Sequence, residues 1–369
     1  MHDLTLDLPP LRMRLKQARG LRADSGELLR RVTKNRNNNV KRNELVLPSY
    51  IGMRNLEALF KFCAEVANTN GDIDIDASKV NFIDPMGLTV LTALLGPVCA
   101  ARTVHLSWLS VNIASYLDRM DFFTHCPVKG VELSASVTRN DLTRSLVEVT
   151  SVTDAHETDS TAIRLATALT GSMTGLHRLP VKFNDGQDPF EKFSHPIKYA
   201  LTELLDNSLT HARREGRFEA AVWVAAQYYN NGLVRIGVAD NGCGFLTTLF
   251  SHQRLARKTH QAAIELALEP FVSCNRDMGR FVESENQGVG LTTTRRISEF
   301  AGGGMTIVSG NAKFATGSGG AEFKSGAFWP GVAISFVCKR DLLPLTNPSA
   351  LLPELPMAAH PVPNLRFAD

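Results

Sequence analysis

The stretch Tyr199-Ala-Leu-Thr-Glu203-Leu-Leu-Asp206-Asn207-Ser-Leu-Thr-His211-Ala212 says more about this chain than any other. Glu203, Asn207 and His211 recur every fourth residue, so a helix projects all three from nearly one face. Leu201, Leu204, Leu205 and Leu209 cover the rest of that helix and predict that it is buried. An acid one turn from an amide, on an otherwise apolar helix, suits the wall of a site. The Asn207 carbonyl oxygen can ligate a hard cation, and Glu203 can orient or deprotonate a hydroxyl or a water.

Two glycine clusters follow in order. Val234-Arg-Ile-Gly-Val-Ala-Asp240-Asn-Gly242-Cys-Gly244 is an alternating strand that ends in an acid and a flexible loop. Asn286-Gln-Gly288-Val-Gly290-Leu291-Thr-Thr-Thr294 is a glycine turn opening a helix, where free backbone N–H groups and the helix dipole favour phosphate. Acid–amide helix, D-x-G-x-G after a strand, a long insertion and G-x-G-L at a helix start resemble the N, G1 and G2 boxes of the Bergerat-fold (GHKL) ATPases. That superfamily holds gyrase, MutL, the ninety-kilodalton heat-shock chaperones, histidine kinases and anti-sigma-factor kinases, and the resemblance covers roughly residues 180 to 340.

The resemblance implies ATP and Mg2+ as ligands. Asn207 would hold the magnesium, Asp240 would accept from the adenine amino group, and Gly242 and Gly244 would let the backbone pass close to the base. Gly288, Gly290 and Leu291 would face the phosphates at the base of a lid, and Glu203 would be the catalytic carboxylate. Gly331-Val332 stands where the family has Gly-Thr, so that hydroxyl contact is missing or displaced. The insertion from Phe245 to Gln287 matches the place of an ATP lid and carries Arg254, Arg257, Lys258, Arg276 and Arg280.

With 369 residues the chain is too long for one ordinary domain. Apolar residues at 44% and charged residues at 21% describe a globular protein, and an excess of three basic residues selects no partner by charge. Nothing in the sequence reads as a membrane span or a signal peptide. The six cysteines are scattered without metal-binding spacing, which points to idle thiols in a reducing cytoplasm.

The organisation expected is α/β. Residues 1–43 form a basic arm, whose lack of aromatic residues argues against nucleic acid. Residues 44–135 alternate strand and helix. Residues 136–180 form a connecting segment and a helix, leading to a Bergerat-type sandwich over 181–342, a mixed sheet with helices on one face. A proline-rich, disordered tail follows over 343–369. Within the first unit Asp72-Ile-Asp-Ile-Asp, then Asp84-Pro85-Met86-Gly87-Leu88, resembles the STAS domain of anti-anti-sigma factors. That family has serines at the positions of Pro85 and Met86, and Met86 cannot accept a phosphate, so the resemblance implies a docking or structural module.

Joined resemblances to a kinase and to its substrate favour an ATP-binding regulatory protein of anti-sigma-kinase type. Its partner would be a protein, either a regulatory target or a phosphoacceptor. The alternative is an ATP-driven switch that closes into a homodimer without kinase activity. A histidine kinase is disfavoured, since no heptad-bearing helical pair precedes the core and His195 is followed by proline.

Overall fold

Strand and helix alternate through the first part of the chain, as the spacing predicts: β1 (Asn43–Val46), β2 (Tyr50–Ile51), α1 (Leu56–Ala67), β3 (Ile73–Asp76), β4 (Phe82–Ile83), α2 (Pro85–Ala101), β5 (Val104–Ser107), α3 (Val111–Arg119) and α4 (Phe122–His125). There follow β6 (Leu146–Val152), α5 (Thr158–Gly171), α6 (Pro189–Ala212), β7 (Val222–Tyr228), β8 (Leu233–Asp240), α7 (Gly244–Leu249) and α8 (His260–Ala267). The last elements are α9 (Gly290–Phe300), β9 (Gly304–Gly310), β10 (Ala312–Ala315), β11 (Gly319–Glu322) and β12 (Trp329–Lys339). This computed structural model describes residues 43–133, 146–171, 189–213, 216–217, 219–229, 231–272 and 288–354. The basic arm through residue 42 therefore lies outside the described residues.

β1, β3 and β5 form a small parallel sheet, as strand–helix–strand crossovers require. The larger sheet has seven strands in the order β11-β10-β9-β12-β8-β7-β6. A mixed sheet was expected here, yet every pairing in it is antiparallel. The reason is β12. It inserts between β8 and β9 and runs against both, so the two strands that share a direction across α7–α9 never become neighbours.

Alternation along β8 explains the layers. Val234, Ile236 and Val238 join a core with Leu201, Leu204, Leu205 and Leu209 of α6 and Ile297 of α9. Residues one step away face the other side, where Ala225, Ala239 and Ala333 pack with the buried residues of α2. Helices were expected on one face only, but α2 occupies the second face. It can do so because it is apolar all round, with Pro85 through Ala93 buried, and because the strands beneath it carry small side chains. A Cβ on Gly237 would lie 2.3 Å from the Pro85 carbonyl oxygen.

The segment resembling the STAS motif is thus a packing element. Asp84 caps α2 by accepting from Gly87 N at 2.9 Å, and Met86 is 1% exposed. The first unit and the larger sheet share one hydrophobic core, so the boundary read at residue 135 does not separate two cores. Two further expectations change. Within the connecting segment, β6 is the edge strand of the large sheet, paired with β7, and α5 packs on α6. The described part of the tail is structured: Arg340–Leu345 and Pro348–Leu351 are 3-10 turns, Leu343 is buried, and Arg296 Nη1 donates to the Leu351 carbonyl at 3.0 Å. Among the described residues, no helix is long and apolar enough to cross a membrane.

Candidate functional site

Burial of its leucines orients α6. Leu201, Leu204, Leu205 and Leu209 are at most 3% exposed, and the opposite stripe of Glu203, Asn207 and His211 lines one cavity. Asp240 enters from the end of β8, Gly244 and Phe245 from α7, Gly288, Gly290 and Leu291 from the start of α9, and Val332 from β12. The cavity opens to solvent at its mouth, and its wall carries both polar and apolar groups.

Glu203, Asn207, Asp240, Gly244, Gly288, Gly290 and Leu291, all assigned to the site from the sequence, line the cavity, whereas Gly242 does not. It packs on the end of α6, where a Cβ would lie 2.3 Å from Ala212 Cα. Gly244 has φ +71°, and a Cβ there would meet Ser309 Oγ at 2.7 Å. Contacts inside the protein therefore account for both glycines before any ligand is considered. Gly331-Val332 supplies a backbone contact to the acid. Val332 N donates to Asp240 Oδ1 at 3.2 Å, and a Cβ on Gly331 would lie 2.2 Å from the Asp240 carbonyl oxygen.

Asp240 is 1% exposed, and Gly242 N also donates to its Oδ1, at 2.9 Å. Burial pushes its carboxyl up to about 7, against the opposing pull of those two N–H groups and of Arg217. Oδ1 is thus engaged, and Oδ2 is the acceptor open to a ligand amino group. The linkage has a definite sign. The folded protein holds this proton up to about pH 7, whereas the unfolded chain releases it near 3.8. The resulting stability is therefore complete below pH 3.8 and is lost as pH rises through 7. A protonated Oδ2 would oppose donor to donor against an adenine amino group. Adenine-nucleotide affinity is accordingly expected to fall roughly tenfold per pH unit below 7, with proton release on binding. Calorimetry in buffers of different ionisation enthalpy measures this. Affinity independent of pH between 5.5 and 8 would contradict it.

Glu203 sits against the first turn of α9: a Cβ on Gly290 would lie 1.7 Å from its Oε2, so only glycine admits the carboxylate there. Burial raises the Glu203 pKa, Asp206 raises it further, and a hydrogen bond from Tyr199 opposes them. Thr292 Oγ1 donates to the Leu268 carbonyl and Thr293 Oγ1 to that of Val289, each at 2.9 Å. These hydroxyls tie the start of α9 to Leu268 and to Val289. In the insertion after β8, Arg254 pairs with Glu269, and Lys258 donates to the Phe250 carbonyl while lying 5.2 Å from that ring. Arg276 and Arg280 lie outside the described residues.

Sequence reasoning overlooked the Val332 amide, the apolar wall of Phe245, Leu249 and Val272, and Tyr199. Only Tyr199 had a readable signal, its place four residues before Glu203 on the same stripe.

The donor set fits a magnesium-bound nucleoside triphosphate. It offers one hard oxygen at Asn207, one carboxylate acceptor at Asp240, a glycine-lined helix start at Gly290, and apolar walls at Val272, Leu291 and Ile334. Among the described residues, no group of three His, Cys, Asp or Glu could hold a metal by itself, so a cation at Asn207 would take most of its ligands from phosphate and water.

Residues 194–326 match the family model described as histidine kinase-, DNA gyrase B-, and HSP90-like ATPase. That span takes in Glu203, Asn207, Asp240, Gly242, Gly244, Gly288, Gly290 and Leu291 and ends ahead of Val332. No curated protein and no solved structure matches the chain.

Proposed function

We propose that this chain binds Mg-ATP in the cavity between α6 and α9 and uses it to control a protein partner, in the manner of the anti-sigma-factor kinases. One observation carries the reading: Glu203, Asn207, Asp240 and Gly290, read from three separate stretches of sequence, line one cavity. Bound magnesium would supply charge neutralisation on the phosphates.

The chain's own residues do the rest. The Asp240 Oδ2 acceptor selects a base with an exocyclic amino group. The Asn207 carbonyl oxygen would hold the cation, and the first-turn N–H groups of α9 would donate to phosphate oxygens. Glu203 takes the proton of the attacking hydroxyl, and its raised pKa brings it nearer the neutral range in which a base is most effective. Phe245, Leu249 and Val272 exclude water from the base side. The motif that resembles a phosphoacceptor site is buried under the sheet as Pro85-Met86, which supports an acceptor on another protein.

Incubation with γ-labelled ATP and magnesium, with and without proteins encoded nearby, tests the reading. Glu203→Ala is expected to keep ATP affinity within about threefold while losing at least ~100-fold in turnover. Undiminished turnover in that variant removes Glu203 as catalyst. Label passing only to water, with a dimer formed only on a non-hydrolysable analogue, assigns the chain to the ATP-driven switches instead.

A further inference from the structure

We propose that Trp329 is a positioning residue for Asp240: anchored on α1 of the first unit, it fixes a bulge in β12 that braces this acid at the cavity wall. The inference rests on the reading of Asp240 as acceptor for an adenine amino group.

β12 breaks its ladder just before it reaches the site. Trp329 pairs with Gly310 and Val332 with Ser309, so three steps along β12 answer one along β9. Pro330 and Gly331 are the surplus residues of this bulge. Two extra residues preserve the alternation: Trp329 and Ala333 join the core of the first unit, Val332 and Ile334 the core beside α6. The bulge lands on the acid. Val332 N donates to Asp240 Oδ1 at 3.2 Å, and a Cβ on Gly331 would lie 2.4 Å from that same oxygen. A Cβ on Gly244, in the turn after Asp240, would meet the Pro330 carbonyl oxygen at 2.8 Å and that of Gly331 at 3.2 Å. β9 completes the seat, because Ser309 Oγ accepts from Phe245 N at 3.2 Å.

A backbone so placed needs a fixed starting point. A bulge disrupts the ladder that would otherwise hold it, and Pro330 has no N–H to donate. Trp329 supplies that point. It is 1% exposed, and its ring centroid lies 6.0 Å from that of Phe60 on α1, which also meets Phe323 at 6.0 Å. The chain leading to it is tied to the same helix. Lys324 N donates to Glu57 Oε1 at 3.1 Å, and Phe328 N donates to the Phe60 carbonyl at 3.2 Å. The indole Nε1 has no hydrogen-bond partner among the described residues, so packing sets the ring's position. The first unit thereby supports the nucleotide site without lining its cavity.

The test uses the full chain. Calorimetry with magnesium gives affinities for ATP and for purine riboside triphosphate, which lacks the exocyclic amino group. Exchange of the Val332 amide is followed in the nucleotide-free protein. Trp329→Leu is expected to lower the preference for ATP at least about fivefold and to speed Val332 exchange about tenfold. Trp329→Phe, which keeps an aromatic ring against Phe60, should retain the wild-type preference within about twofold. Phe60→Leu is expected to act like Trp329→Leu but less strongly, and it carries the test if Trp329→Leu does not fold. Leu117→Ala, at a buried position of α3 in the same core, is the control for lost stability, and its preference should stay at the wild-type value. Wild-type preference and wild-type Val332 exchange in Trp329→Leu overturn the inference, as does an equal loss of preference in Leu117→Ala. A wild type that binds both nucleotides equally overturns the reading of Asp240 instead. Val332 exchange, measured without nucleotide, then still decides whether Trp329 holds the bulge.

Discussion

Replacing Asn207 with alanine is expected to abolish magnesium-dependent ATP binding while leaving the fold in place. Asn207 is half-buried on a helix whose stability comes from its leucine stripe, and alanine is the better helix former, so the substitution costs the protein little. The cavity loses its one hard neutral oxygen on α6. Affinity for ATP in the presence of magnesium should fall by at least about a hundredfold, and what remains should no longer respond to magnesium. Calorimetric titration with and without the cation measures both quantities. An Asn207→Ala protein that binds Mg-ATP like the wild type would show that the metal is held elsewhere.

Gly237→Val is expected to be the most destabilising single change on the far side of the sheet. In an isolated strand Val would be the better residue, and Val-Arg-Ile-Val-Val-Ala-Asp looks like a stronger β-strand than the natural sequence. The tertiary contact reverses that preference. A Cβ on Gly237 would lie 2.3 Å from the Pro85 carbonyl oxygen and 2.5 Å from Met86 N. Both are backbone atoms at the start of α2 and cannot rotate aside. The helix must lift off the sheet, at a cost of about 3 kcal/mol. Because the small unit and the large sheet share a core, the loss should appear in a single denaturation transition reported by Trp223 and Trp329, both buried there. Wild-type stability, or separate transitions for the two parts, would contradict this account of the packing.

What the chain makes legible and what it hides divide along physical lines. The stripe of Glu203, Asn207 and His211 could be read because helical spacing is a property of local sequence. The helix opened by the glycine turn at Gly288–Gly290 was legible for the same reason. The glycines were visible as positions but not as reasons. Gly242 makes room for Ala212, Gly290 for Glu203 and Gly331 for Asp240, and each neighbour belongs to a different element. The edge strand β6 reads as part of a connection because a lone strand carries no mark of its partner. The ordered turns after Lys339 were taken for a tail because their prolines suggest disorder, while their buried residues, Leu343, Thr346 and Pro348, show only in context.

By itself the sequence determined the chemistry on offer: an acid and an amide one turn apart, a carboxylate at a strand end, and a helix opened by glycine. Those are consequences of covalent spacing and backbone freedom. Only the tertiary structure decided that α2 closes the second face of the sheet, that β12 parts the two like-directed strands, and that Gly290 leaves room for Glu203. Each of these depends on which small residue leaves space for which distant neighbour. Steric fit of that kind acts between segments whose separation along the chain carries no periodic signal.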